Sequence, residues 1–268
     1  MQPRIPSGIT GAHQGTKFLI TSLPRCGSTS LAHILNTHPD IRCLIEPFHP
    51  RRYNGVYNQS AVRHRSVRPA VQSIWTRFNG IKHVWEASGW PFHQIPFLNC
   101  ELTLGPGLNV LLLVRRNYFR RLISNLVCRQ TNYWIGTKQE FELRVRTIEF
   151  KHLDPTRVRN AILRDVDAIS RYTSFLKENN VKYSAIEYEE LFSQKLTVAE
   201  RYRMVVDLLT LMGFSPITVE RFENTCSHNF DASAHRWTSE QVYRRIPNIE
   251  ELECQVGSDK TGWIFKEI

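Results

Sequence analysis

Thr16-Lys17-Phe18-Leu19-Ile20-Thr21-Ser22-Leu23-Pro24-Arg25-Cys26-Gly27-Ser28-Thr29-Ser30-Leu31-Ala32-His33-Ile34-Leu35 is the stretch on which the fold turns. Its first six residues are a short apolar, β-branched run that reads as a strand. Pro24 and Gly27 then punctuate a tight turn, and from Ser28 onward Leu31, Ile34 and Leu35 keep helical spacing. Set against the phosphate-loop pattern G-x-x-x-x-G-K-[ST], the second Gly falls on Gly27 and the final hydroxyl on Thr29. Ser22 replaces the first Gly and Ser28 replaces the Lys. What survives is a strand, a turn, and successive N–H groups opening a helix, which together with the helix dipole form an anion seat. The cation has moved to Arg25, and the hydroxyls of Ser28 and Thr29 face the seat.

The strand-to-helix step recurs downstream. Asn109–Val114 is almost entirely Leu and Val, the pattern of a strand covered on both faces of a parallel sheet. It runs into Arg115-Arg116-Asn117-Tyr118, and a helix is expected from Phe119 to Cys128. Arg116 sits at the strand's C-terminal end, and Ser124 follows eight residues on, about two helical turns away. Ligands collect at the C-terminal ends of parallel strands, so Arg116 is expected to face the same cleft as the first loop. The guanidinium fork suits a second phosphate. Arg115, Arg120 and Arg121 read instead as a solvated basic helix face.

Further strands are expected at 42–45, 81–85 and 181–186. A long helix spans 156–177, with Ile162, Val166, Ile169, Tyr172 and Phe175 at core spacing, and another spans 198–212, stopped by Gly213. Alternating strands and helices predict an α/β fold with a central parallel β-sheet flanked by helices. With no repeat and no linker, 16–268 reads as a single domain behind a flexible N-terminal segment, 1–15. Residues 50–80, rich in Arg, Asn and Gln without clear periodicity, read as an insertion or lid over the C-terminal edge of the sheet.

Composition narrows the partner. The 268 residues hold 35 Lys+Arg against 25 Asp+Glu, a formal net charge of +10, with 41% hydrophobic residues. These values fit an ordinary globular chain and exclude disorder, collagen and a disulfide miniprotein. The basic excess points to an anion: a nucleic acid, a membrane surface or a phosphorylated small molecule. The six cysteines never fall two or three residues apart, so no zinc-ligand or redox-pair spacing exists, and they read as thiols of a reducing compartment. No signal-peptide run and no apolar stretch of membrane-spanning length is present, and a cytoplasmic location is expected. A phosphate-loop kinase would need the missing Lys and an Asp for Mg²⁺ after Val114, where Arg115-Arg116 stand. A nucleic-acid-binding domain would spread basic residues and aromatics along one face, whereas here the basic residues sit beside hydroxyls at strand ends. Trp75, Trp85, Trp90, Tyr133 and Trp134 read as core or as the wall of an acceptor cleft.

The two elements together resemble those of sulfotransferases that use 3′-phosphoadenosine-5′-phosphosulfate (PAPS). The 5′-phosphosulfate loop of that family is matched by Pro24-Arg25-Cys26-Gly27-Ser28-Thr29, with Cys26 where Ser is usual. Its 3′-phosphate element is matched by Arg116, Asn117 and Ser124, with Tyr118 where Pro is usual. Leu35–Pro47 is similar to the segment after the loop in carbohydrate and tyrosylprotein sulfotransferases, which ends in a Glu. Tyr188-Glu189-Glu190-Leu191 resembles the family's Tyr-Glu-x-Leu box, and Asn248-Ile249-Glu250-Glu251 its C-terminal Asn-x-x-Glu segment. The matches run from residue 16 to about 252.

The resemblance implies a phosphate-loop-type sulfotransferase fold, PAPS as donor, PAP as product and no metal. It implies that Arg25 bridges the leaving phosphate and sulfate oxygens. Cys26, Gly27, Ser28, Thr29 and Ser30 would hold the 5′ phosphate, Arg116 and Ser124 the 3′ phosphate, and Tyr188 would approach the adenosine. The acceptor hydroxyl needs a base. Glu46 is the first choice, because burial at a strand end would raise its pKa. His83 is the second, as Gly80-Ile81-Lys82-His83 partly echoes the Lys-Thr-His segment of cytosolic sulfotransferases. His49 would assist or line the cleft. The Glu-type base leans toward a carbohydrate or other polyhydroxyl acceptor, with a lipid, another small molecule or a peptide tyrosine as further choices. No nucleic-acid partner and no membrane insertion are expected. Arg51, Arg52, Arg63, Arg65 and Arg68 are left unassigned.

Overall fold

The computed structural model describes residues 16–134, 138–225, 230 and 240–266. The expected N-terminal segment 1–15 and Cys226 lie outside the described residues. Five strands, β1 (Phe18–Ser22), β2 (Cys43–Ile45), β3 (Gly80–Val84), β4 (Asn109–Val114) and β5 (Tyr183–Glu187), form one sheet in the order β2-β3-β1-β4-β5. Every pairing is parallel. The strands lie within two residues of the expected positions. All five residues of β1 are buried, as are all five of β3.

Helices fill the connections: α1 (Ser28–Leu35), α2 (Val56–His64), α3 (Arg68–Trp75), α4 (Leu98–Glu101), α5 (Tyr118–Thr131), α6 (Lys138–Thr147), α7 (Pro155–Glu178), α8 (Tyr188–Leu191), α9 (Val198–Leu211) and α10 (Val219–Thr225). Helices Glu240–Tyr243 and Ile249–Val256 follow. Local chemistry sets several ends. Asp154 caps α7 by accepting from the Thr156 and Arg157 N–H groups, with Pro155 in the first turn. Thr197 and Glu200 close a reciprocal capping box on α9, which stops before Gly213 in the left-handed region at φ 82°.

Two layers cover the sheet. Register aligns Leu44, Ile81, Leu19 and Val110 side by side, and these pack with Ala61, Ala70, Ile74, Leu98 and Leu102. Alternate residues of a strand face opposite ways, so Ile20 turns to the other face and joins Leu31, Ile34 and Leu35 of α1. A further cluster ties α5, α6 and the start of α7 to helix Ile249–Val256 through Phe119, Ile123, Phe141, Ile162 and Leu252.

Two segments differ from expectation. Segment 50–80 is no lid: α2 and α3 are helices, and Ala61, Val67, Ala70 and Ile74 are buried in the layer over β1–β4. Their helical stripe is hard to read because the small residues Ala61 and Ala70 carry much of it. On α7 the buried face is Val158, Ile162, Ala168, Tyr172 and Leu176, and Val166 points outward at 38% exposure.

Candidate active site

β1 and β4 are neighbours on either side of the point where the strand order reverses, and the loops after both strands meet there. The loop after β1 carries Arg25 at φ 67° and Gly27 at φ 80°, both in the left-handed region. Gly is required at 27 for a second reason: a Cβ would lie 2.8 Å from ring atoms of both Phe192 and Tyr188. α1 starts directly after it with no side chain capping its N-terminus. Ser28 is buried, Ser30 half-buried and Thr29 exposed at that end of the helix. The Arg25 Nε donates to Ser124 Oγ at 2.9 Å, so a residue of the first element touches one of the second across 99 positions of sequence. Cys26 is buried, and its thiol is pushed up to about 11 by desolvation, against the pull of Arg121 and Arg115. It is a neutral packing group at neutral pH.

Beside this loop lies a cluster that holds a residue the sequence reading passed over. Lys82 on β3 is 1% exposed, ion-paired through Nζ to Glu46 Oε1, and also donates to Thr29 Oγ1 at 3.1 Å. Arg52 Nε stands 3.3 Å from the other Glu46 oxygen. Glu46 follows β2 in the left-handed region at φ 52°, a conformation costly for a non-glycine residue that its surroundings must hold. Burial alone would push its carboxyl up. Lys82 and Arg52 outweigh that and hold it below the usual carboxylate range, the reverse of the expected direction. Burial pushes Lys82 down, with Glu46 opposing. Lys82 could have been found as a lone Lys inside an otherwise buried strand, a residue type almost never buried without a partner.

The neighbouring His83 points to the opposite face, as strand alternation requires. It is 1% exposed, its Nε2 is 2.8 Å from Asn99 Oδ1, and Phe48 and Phe92 pack on the ring. Burial drops its pKa to about 4. The structure thus separates the two candidate bases: Glu46 lies with Lys82 and Thr29, while His83 lies in the core layer. His49 is half-buried with its ring edge on Trp90 at 5.3 Å, and its Nδ1 accepts from the Arg51 N–H. Trp85 is core: it stacks on Tyr172 at 4.7 Å and donates to Thr21.

Arg116 lies at the end of β4 as expected, but its side chain is 70% exposed and ion-paired with Glu187. The turn that carries it is held by Glu189, whose two oxygens accept the Arg116 and Asn117 N–H groups at 3.0 Å each. Tyr188 sits against the loop at Gly27 and under the Arg115 guanidinium at 4.5 Å. Arg115 and Arg121 are therefore not a solvated face: their side chains are 11% and 2% exposed, each donating to a backbone carbonyl of the loop. Arg120 is also only partly solvated, its side chain 27% exposed, paired with Glu240 and lying over the Tyr243 ring at 6.0 Å. Asn248 is a structural tie, exchanging two hydrogen bonds with the Leu153 backbone.

The uncapped N-terminus of α1, Arg25, Ser124 and the ring of Tyr188 thus come together around the loop after β1. Among the described residues no group of three or more His, Cys, Asp or Glu could hold a metal ion, and no helix is long and apolar enough to cross a membrane.

No family model matches the chain. Nodulation protein H of Rhizobium meliloti (strain 1021) is similar to it, 29% identical over 129 residues, which are 46% of this chain and 51% of that protein. The match thus spans about half the length of the curated relative.

Proposed function

We propose that this protein is a sulfotransferase that moves a sulfuryl group from PAPS to the hydroxyl of a small-molecule acceptor, a carbohydrate or other polyhydroxyl compound, with a lipid as a further choice. The observation that carries the reading is the Arg25–Ser124 hydrogen bond, which joins the 5′-phosphosulfate loop to the helix of the 3′-phosphate element. The partial similarity to nodulation protein H supports the sulfotransferase reading.

Sulfuryl transfer, like phosphoryl transfer, rests on positioning and charge stabilisation. The N–H groups of the loop from Arg25 and Cys26 through Gly27, Ser28, Thr29 and Ser30 take the 5′ phosphate at the positive end of α1. Ser124 takes the 3′ phosphate, and Arg116 joins it by exchanging its Glu187 partner for the ligand. As the acceptor oxygen attacks sulfur and the bond from sulfur to the bridging oxygen breaks, Arg25 stabilises the charge that develops on that oxygen. Glu46 receives the acceptor proton. Being ionised, it is in the correct form for a base, and Lys82 and Arg52 orient its two oxygens. His83, a neutral ring locked onto Asn99, is left with a packing role.

The test is ligand-dependent thermal stability. PAP without Mg²⁺ is expected to raise the melting temperature by several degrees, and ATP to leave it unchanged, since binding to the native state alone stabilises by about 2.7 kcal/mol at a hundredfold excess over Kd. Stabilisation by ATP with Mg²⁺ and none by PAP would favour a kinase. Oligonucleotides that displace PAP would overturn both enzyme readings.

A further inference from the structure

A loop that seats an anion must point N–H groups at it and keep its carbonyl oxygens away. Two carbonyls of this loop are each held from behind by a guanidinium. Arg121 Nη1 donates to Pro24 O at 3.0 Å, and Arg115 Nη1 donates to Arg25 O at 3.1 Å. A trans peptide is planar, with its N–H directed opposite to its C=O. Drawing the Pro24 carbonyl back toward Arg121 therefore turns the Arg25 N–H forward. Drawing the Arg25 carbonyl toward Arg115 likewise turns the Cys26 N–H forward.

Both guanidiniums are themselves anchored. Arg121, 2% exposed, is ion-paired with Asp165 on α7. Arg115 lies over the Tyr188 ring at 4.5 Å, with its Nε 3.9 Å from a Glu189 oxygen. The backbone between the two carbonyls is the left-handed Arg25, a conformation that persists only where its surroundings hold it.

We propose that Arg121 and Arg115 are positioning residues for the anion seat. They do not touch the ligand; they set the peptide planes of Pro24–Arg25 and Arg25–Cys26 and cancel the carbonyl partial charges that would repel it. The proposal rests on the reading of this loop as the seat of the donor's 5′ phosphate.

Three probes separate this role from plain structural support: adenosine 5′-monophosphate, adenosine 3′-monophosphate and inorganic phosphate, titrated calorimetrically into wild type, Arg121→Lys and Arg115→Lys. Lysine keeps the charge but cannot hold an anchor and a carbonyl in one rigid fork. In each variant the 5′ nucleotide and phosphate are expected to bind about tenfold more weakly, with the 3′ nucleotide within about twofold of wild type. A variant that melts at lower temperature yet binds all three like wild type would overturn the proposal, as would equal weakening toward both nucleotides. Should Arg121→Lys not fold, Arg115→Lys, with its side chain nearer solvent, decides alone. A wild type that binds phosphate but neither nucleotide would overturn the sulfotransferase reading, and the phosphate arm would still judge the two arginines. A wild type that binds none of the three would overturn both.

Discussion

Glu46 shows how neighbours override burial. A half-hidden carboxylate at a strand end invites the expectation of a raised pKa, but two cations, one of them buried Lys82, reverse the sign. The group is thus ionised wherever pH exceeds the ordinary carboxylate value of 4.5, and it protonates only below that. If Glu46 is the base, the acid limb of the rate profile lies below pH 4.5, with no inflection near 6 from this group. Glu46→Gln should lower kcat by about 10²–10⁴-fold, the ordinary contribution of a general base, while donor KM stays within about threefold. Unchanged turnover would remove Glu46 from the chemistry. Arg25, Gly27 and Thr29 were legible because they are fixed by local spacing along one loop. Lys82 was not, because its partners Thr29 and Glu46 come from other elements, and only the β2–β3–β1 register brings them together.

The element β3 splits two adjacent residues, Lys82 toward Glu46 and Thr29 and His83 toward the core layer, a matter of strand parity. His83 carries a cost that can be measured. Its folded pKa of about 4 lies below the ordinary 6.5, so between those values the unfolded chain binds a proton that the native ring does not. The contribution is present in full above about pH 6.5 and is lost as pH falls to about 4, on the order of 3 kcal/mol over the interval. In His83→Gln, which keeps a partner for Asn99, the urea-unfolding free energy should fall less steeply over that range; an unaltered slope would show that His83 does not titrate so low. Helices α2 and α3 make a second case. Their Arg- and Asn-rich surface hides a stripe built on Ala61, Ala70 and Ile74, all buried. Ile74→Ala should cost about 2–5 kcal/mol of stability, as for a core residue. A loss below about 0.5 kcal/mol, the range of surface substitutions, would restore the lid reading.

Across the whole molecule, the six cations Lys82, Arg52, Arg115, Arg116, Arg121 and Arg129 pair with five carboxylates, Glu46 serving two of them, so these pairs absorb only one of the +10 excess charges. What remains is expected to steer an anionic donor, so donor kcat/KM should fall several-fold between about 0.05 and 0.5 M salt, while a salt-independent value would deny steering any role. The sequence by itself determined the alternation of strands and helices, the parallel sheet and the strand–turn–helix loop at Arg25–Gly27, because each is written in contiguous residues through apolar runs, turn residues and helical spacing. Tertiary structure alone decided that Arg25 meets Ser124, that Lys82 pairs with Glu46, that His83 goes to the core, and that Arg115 and Arg121 stand behind the loop. Those outcomes depend on register and on which helix packs against which sheet edge, and the energy of a charge there is set by partners distant in sequence.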